Sequence, residues 1–205
     1  LGGLPMDPRV TAVLDRQRRV FRDLGCKVEE AAPDFSGATE AFETLRALSF
    51  LQKNGHLYAD RKLRAQLKPT VIWNIEQGLR LKPAQIARAE TLRTQLFHRM
   101  REFLGRYEFF LCPVNQLPPF PVDEEYPTRI GRTRLGNYLD WMKSCYFVTI
   151  TSHPAISVPA AFTDDELPLP VGLQITGRYK DDFGVLQLAH AFEQANPVWK
   201  IRPPL

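Results

Sequence analysis

Hydrophobic positions along this chain follow two periods. Over residues 8–24, Val10, Val13, Leu14, Val20, Phe21 and Leu24 recur at helical spacing. Asp7 precedes them as an N-cap, Pro8 sits in the first turn and Gly25 supplies the stop, so this stretch predicts a first helix. Over residues 83–104, Ile86, Leu92, Leu96, Phe97, Met100, Phe103 and Leu104 return every three or four residues and predict a longer amphipathic helix. A helix is also expected over 38–52, and the apolar-aromatic pattern of 138–150 predicts a buried one.

The period shortens to two in CKVEEAAPDF, residues 26–35, which alternates apolar and charged positions before a proline. That predicts a short strand at a sheet edge with one face covered. AISVPAAF (155–162) and PVGLQITGR (170–178) are rich in β-branched and aliphatic residues. The acidic, proline-bearing TDDELPLP between them suits the surface, so the pair predicts an antiparallel hairpin. Gly172 and Gly177 lie inside the second run, where each marks a bulge or a close approach by another backbone.

The 205 residues read as a single domain, mainly helical over 37–106, and a chain of this length buries roughly 70% of its unfolded surface. Within the helical section Gly55, Pro69 and Gly78 mark turns, and Tyr58 and Trp73 anchor a layer with His56 and Asp60 at its rim. Four residues separate His56 from Asp60, but no further ligand at compatible spacing supports a metal site. Residues 123–137 are rich in charge and turn formers and predict an exposed loop.

Composition narrows the classes. No apolar run approaches the roughly 20 residues of a membrane span and no leader pattern opens the chain, so a cytoplasmic location is the default expectation. Cys26, Cys112 and Cys145 form no CxxC element and read as reduced core residues. Cys145 with His153 lacks an orienting third group for a cysteine hydrolase. The net charge of +4 comes with a stripe of arginines between Arg80 and Arg106. Without a groove-reading motif this is a solvated helix face, and no nucleic-acid partner is expected.

Beyond periodicity, PAISVP followed by LPVGLQITGR resembles the closing hairpin of the amidase signature family. YEFFLCPVNQLPPFP (107–121) is similar to that family's strand-then-proline segment, with Cys112 where threonine usually precedes the proline. VLQLAHAFEQA (185–195) resembles its terminal helix, and Trp199, Arg202, Pro203 and Pro204 resemble its tail. LGGLPMDPRV resembles the stretch that follows the family's serine signature. The resemblance implies an α/β chain, the C-terminal part of a three-layer α/β/α fold with a mixed sheet and a helical insert. It also implies amide hydrolysis by a Ser, cis-Ser, Lys triad that needs no metal or organic cofactor.

Nothing here matches the triad segment. Ser36, Ser49, Ser144, Ser152 and Ser157 are scattered, and none lies in a glycine-rich run able to form an oxyanion hole. The expectation is therefore the C-terminal part of an amidase, inactive alone, contributing scaffold and substrate walls for a small-molecule amide. Asn115 and Gln116, just past a strand end, and the aromatic pair Tyr138 and Trp141 are the candidate substrate-binding residues. The plain alternative keeps Tyr138 and Trp141 in the core and has Asn115 and Gln116 satisfy a turn. Two further readings stay open: a non-catalytic binding or assembly module derived from an amidase, and part of a glutamyl-tRNA amidotransferase-like subunit. With an uncovered sheet edge, self-association as a homo-oligomer or partner binding would be favoured.

Overall fold

The computed structural model describes residues 1 and 3–201, and the tail positions Arg202, Pro203 and Pro204 lie outside the described residues. The strands are β1 (Phe109–Pro113), β2 (Arg129–Ile130), β3 (Thr133–Arg134), β4 (Ala155–Phe162) and β5 (Pro170–Gly177). They pair as a central antiparallel sheet in the order β1-β5-β4 and a small β2-β3 ribbon inside the loop over 123–137. The hairpin forms as its alternation predicts, with Ile156 opposite Ile175 and Val158 opposite Leu173.

Helices cover both faces of the sheet, which makes the fold a layered α/β arrangement. On one side α1 (Pro8–Asp23) packs Val10, Val13 and Phe21 against Val158, Ala160, Val171, Leu173 and Ile175. The other side carries α2 (Ala38–Ala59), α3 (Arg61–Arg64), α4 (Pro69–Leu79), α5 (Pro83–Arg106) and α6 (Lys143–Thr149). There Leu96, Met100, Phe103 and Leu104 of α5 meet Phe110 and Cys112 of β1. Strand β1 is shared between the cores, since Phe109 and Leu111 turn toward the α1 side. The last helix, α7 (Asp182–Ala195), closes the α1 side with Ala189 and Phe192.

Local chemistry explains the ends. Asp7 caps α1 by accepting from the Arg9 N–H at 2.9 Å, and Gly25 follows the helix at φ +87°. Gly177 is the close approach that its position predicts: a Cβ there would run into the Val185 side chain, so its absence lets α7 sit on β5. The one irregularity in the β4-β5 pairing falls on β4, between Pro159 and Ala161.

Three expectations need correction. Residues 26–35 form no strand. Cys26 and Val28 pack beside the α1 core, but no neighbouring strand offers a ladder, and alternation without a partner leaves an extended coil. The helix expected over 38–52 runs on to Ala59 through Gly55, and Pro69 and Gly78 belong to α4 instead of marking turns. Pro69 opens α4, and Gly78 lets α4 press on α2, because a Cβ would stand 2.6 Å from the Ala47 carbonyl oxygen. Finally, 138–150 is not one helix: a 3-10 turn (Asp140–Met142) leads into α6.

The arginine stripe behaves as a solvated face. Arg88 pairs with Glu40 at 2.6 Å, Arg93 with Glu90 at 2.7 Å, and Arg99 with Asp34. Among the described residues no helix is long and apolar enough to cross a membrane.

Candidate functional site

Strand β1 delivers the chain out of the sheet at Pro113, and the following turn is held from several directions by Gln116. Its side chain is fully buried: Nε2 donates to the Pro5 carbonyl at 3.0 Å, and Oε1 accepts from the Lys143 N–H at 2.8 Å. Its backbone carbonyl accepts from the Asp7 N–H at 2.8 Å, and its own N–H reaches the Trp141 carbonyl at 3.4 Å. One side chain thus ties the N-terminal segment, the exit turn and the start of α6 together.

That clasp positions its neighbours. Asn115 and Trp141 line a groove of about 220 Å³ with Val10 of α1, Phe120 of the proline-rich exit, and Val171 and Gly172 of β5. Trp141 stands edge-on to Phe120, with centroids 5.4 Å apart at 80°. Its indole Nε1 is buried and has no hydrogen-bond partner among the described residues. An unmet buried donor costs about 1–3 kcal/mol.

Tyr138 lies apart from this groove, in the helical layer. Its hydroxyl accepts from Arg46 Nε at 3.2 Å, Arg46 Nη2 at 2.9 Å and Asn74 Nδ2 at 2.6 Å. Its ring meets Trp73 edge-on at 5.7 Å. Of the four sequence candidates, the structure therefore gathers Asn115 and Trp141 at one groove, puts Gln116 directly behind them, and separates Tyr138. Asn74, buried within α4, was not among the sequence candidates. A lone amide inside the apolar run VIWNI was the available signal.

The sheet face beneath is polar. Ser144 Oγ donates to the Val114 carbonyl at 2.9 Å, and Gln174 Nε2 reaches Cys112 Sγ and the Ser144 carbonyl, both at 3.4 Å. Burial pushes the Cys112 thiol up to about 12, so it stays protonated at neutral pH. Burial also raises Cys145, and all three cysteines are free thiols. His153 turns its Nδ1 to the Thr151 carbonyl at 2.9 Å instead of to a thiol, and burial holds its pKa below the usual histidine value.

Two of the serines are committed: Ser36 Oγ donates to Asp34 at 2.6 Å, and Ser144 is buried on its carbonyl acceptor. Among the described residues no group of three His, Cys, Asp or Glu side chains is placed to hold a metal ion. This geometry can orient a small polar ligand.

An acylamidase of Rhodococcus erythropolis is 28% identical over 200 residues, covering 97% of this chain and 41% of that protein. The amidotransferase chain of the glutamyl-tRNA(Gln) type from an Exiguobacterium species is 41% identical over 218 residues, covering 95% of this chain and 43% of that one. The chain thus spans about two fifths of the length of these curated relatives. Among solved structures, a bacterial aryl acylamidase of the amidase signature enzymes matches with a TM-score of 0.83 at 24% identity, over 99% of this chain and 44% of that one. A 6-aminohexanoate cyclic dimer hydrolase matches with a TM-score of 0.74 at 16% identity, over 98% of this chain and 44% of that one. A family profile described as Amidase matches residues 2–186, and with that match running through both cores and the groove, this chain belongs to the amidase family.

Proposed function

We propose that this chain forms the scaffold and substrate-pocket walls of an enzyme that hydrolyses carboxylic amide C–N bonds through a serine acyl-enzyme, with the nucleophile on polypeptide outside this sequence. In that reaction the serine oxygen bonds to the amide carbonyl carbon, the C–N bond breaks, and the amine leaves with the proton. Water then releases the acid. The observation that carries the reading is the groove that Asn115 and Trp141 line together beside the end of β1, in a chain of the amidase family. There Trp141 donates to a substrate carbonyl and Asn115 offers an amide that both donates and accepts. Gln116 and Ser144 hold that wall in place.

The test has two parts. The 205-residue chain alone, given an anilide substrate, releases no aniline, and a sulfonyl fluoride leaves no adduct on any of its serines. Turnover, or an adduct on Ser36, Ser49, Ser144, Ser152 or Ser157, overturns the assignment. In the complete enzyme, Trp141→Phe removes the donor but keeps the ring, and raises KM about tenfold with kcat little changed. An unchanged KM removes Trp141 from the substrate wall.

A second reading is favoured by the 41% identity to the Exiguobacterium amidotransferase chain. In it the same walls belong to an amidotransferase that passes ammonia to an acylated tRNA. Free ammonia release without companion chains supports hydrolysis, and transfer that appears only with them supports the second reading.

A further inference from the structure

The helical layer holds a cleft that the amide-hydrolysis reading does not use. Along α2, Phe42, Leu45, Arg46, Ser49, Phe50 and Lys53 fall at steps of three and four residues and so share one face. That face floors a cleft of about 440 Å³, closed on the far side by Arg93 of α5 and by the turn that carries Ile150 and Ser152. The size lies within the range of small-molecule sites.

Its lining divides by chemistry. Phe42, Leu45, Phe50 and Ile150 give an apolar bed, whereas Arg46, Lys53 and Arg93 put three cations around one space that no aspartate or glutamate lines. Arg93 has an ion pair on its own helix, with Glu90. The Arg46 guanidinium carbon sits over Phe50, 4.6 Å from the ring centroid, and its Nε and Nη2 donate to the Tyr138 hydroxyl. Neither Arg46 nor Lys53 has a carboxylate within 4.0 Å among the described residues. Like charges gathered without a counter-charge repel, and an anion entering between them relieves this. Ser152 closes the turn after α6, its N–H donating to the Thr149 carbonyl at 3.2 Å. It is a non-glycine residue held at φ +59° on the rim, a conformation that costs energy and is kept only where the surroundings impose it.

We infer that this cleft binds a small organic carboxylate with an aryl or alkyl body. The carboxylate meets Arg46, Lys53 and Arg93, with the Ser49 and Ser152 hydroxyls as further donors, and the body lies on Phe42, Leu45 and Phe50. The inference is independent of the proposed hydrolysis, because binding is read without turnover.

Isothermal titration of the 205-residue chain with 4-phenylbutyrate and with neutral 4-phenylbutanol tests it. The acid is expected to bind saturably and at least tenfold more tightly than the alcohol, and more weakly as salt is raised. Lys53→Met and Arg93→Gln, both at exposed positions that leave the fold intact by circular dichroism, each weaken the acid several-fold. Arg132→Gln, on the exposed turn between β2 and β3, leaves it unchanged. Equal binding of acid and alcohol, no saturable binding of the acid, or indifference to both Lys53→Met and Arg93→Gln overturns the inference.

Discussion

The two faces of the β1-β5-β4 sheet are built on opposite principles. Toward α1 and α7 the buried surface is apolar except for Gln17 of α1: Val158, Ala160, Val171, Leu173 and Ile175 of the hairpin meet Val10, Val13, Phe21, Ala189 and Phe192. Phe21 and Phe192 stack there at 4.9 Å and 10°. Toward the helical layer the same strand β5 presents Gln174 and Thr176, with Ser144, Gln116, Asn74 and His153 also buried on that side of the molecule. Among the described residues, Trp141 Nε1, His153 Nε2 and Thr176 Oγ1 are buried without partners. The dry face is completed by side-chain packing, with Gln17 Oε1 buried there without a partner among the described residues. The cleft lies in the helical layer, whereas the groove is lined by Val10 and Val171 of the apolar side as well as by Asn115 and Trp141.

The largest effect comes from damaging the dry face. Phe192→Ala removes a fully buried ring and the stack on Phe21, and is expected to cost about 3–5 kcal/mol in urea denaturation. A loss near 1 kcal/mol, roughly that of a surface change, would mean that α7 contributes little to the core.

On the polar face, Gln116→Ala leaves the Lys143 N–H and the Pro5 carbonyl without partners, and is expected to cost about 1–3 kcal/mol in the same measurement. If Gln116 closes a turn by its backbone alone, stability is unchanged and the contrast between the two faces narrows.

A pH series sharpens the contrast further. Burial depresses the His153 pKa below its ordinary 6.5, with the Thr151 carbonyl acting the other way. The folded chain therefore holds this ring, set between Phe97 and Tyr179, in the neutral form. As pH falls through 6.5 the unfolded chain takes up a proton that the folded one resists, so stability present above 6.5 is lost toward the folded pKa. Unfolding midpoints measured between about pH 7.5 and pH 5 should show this slope, and His153→Gln should flatten it. A slope that survives the substitution belongs to another group.

The smallest effect is expected at the surface. Arg16→Ala breaks the 2.7 Å pair with Asp164 that ties the hairpin loop to α1. Both side chains are well exposed, and the loss is expected to stay below about 1 kcal/mol.

The legible parts of this protein share one property: their cause is local. Helical stripes set α1 and α5, Asp7 and Gly25 set the ends of α1, and β-branched alternation set the β4-β5 hairpin. The groove was legible only in part. Asn115 and Trp141 were marked by their place after a strand and on an aromatic stretch, and Gln116 was marked beside them, but the clasp it makes was not. Residues 26–35 show the limit from the other direction, for their alternation equals that of a strand, yet a strand needs a neighbour to pair with and none stands there.

By itself, then, the sequence determined the elements whose periodicity and caps lie within a short local stretch, and the family likeness carried by the hairpin wording. The tertiary structure decided which polar side chains are spent on the fold and which are left for a ligand. Gln116 is spent because Pro5 and Lys143, 111 and 27 residues away, supply its partners. Tyr138 is drawn from the groove because Arg46 and Asn74, 92 and 64 residues distant, saturate its hydroxyl. Hydrogen bonding between distant segments is settled only when packing brings them together, and no local pattern encodes it.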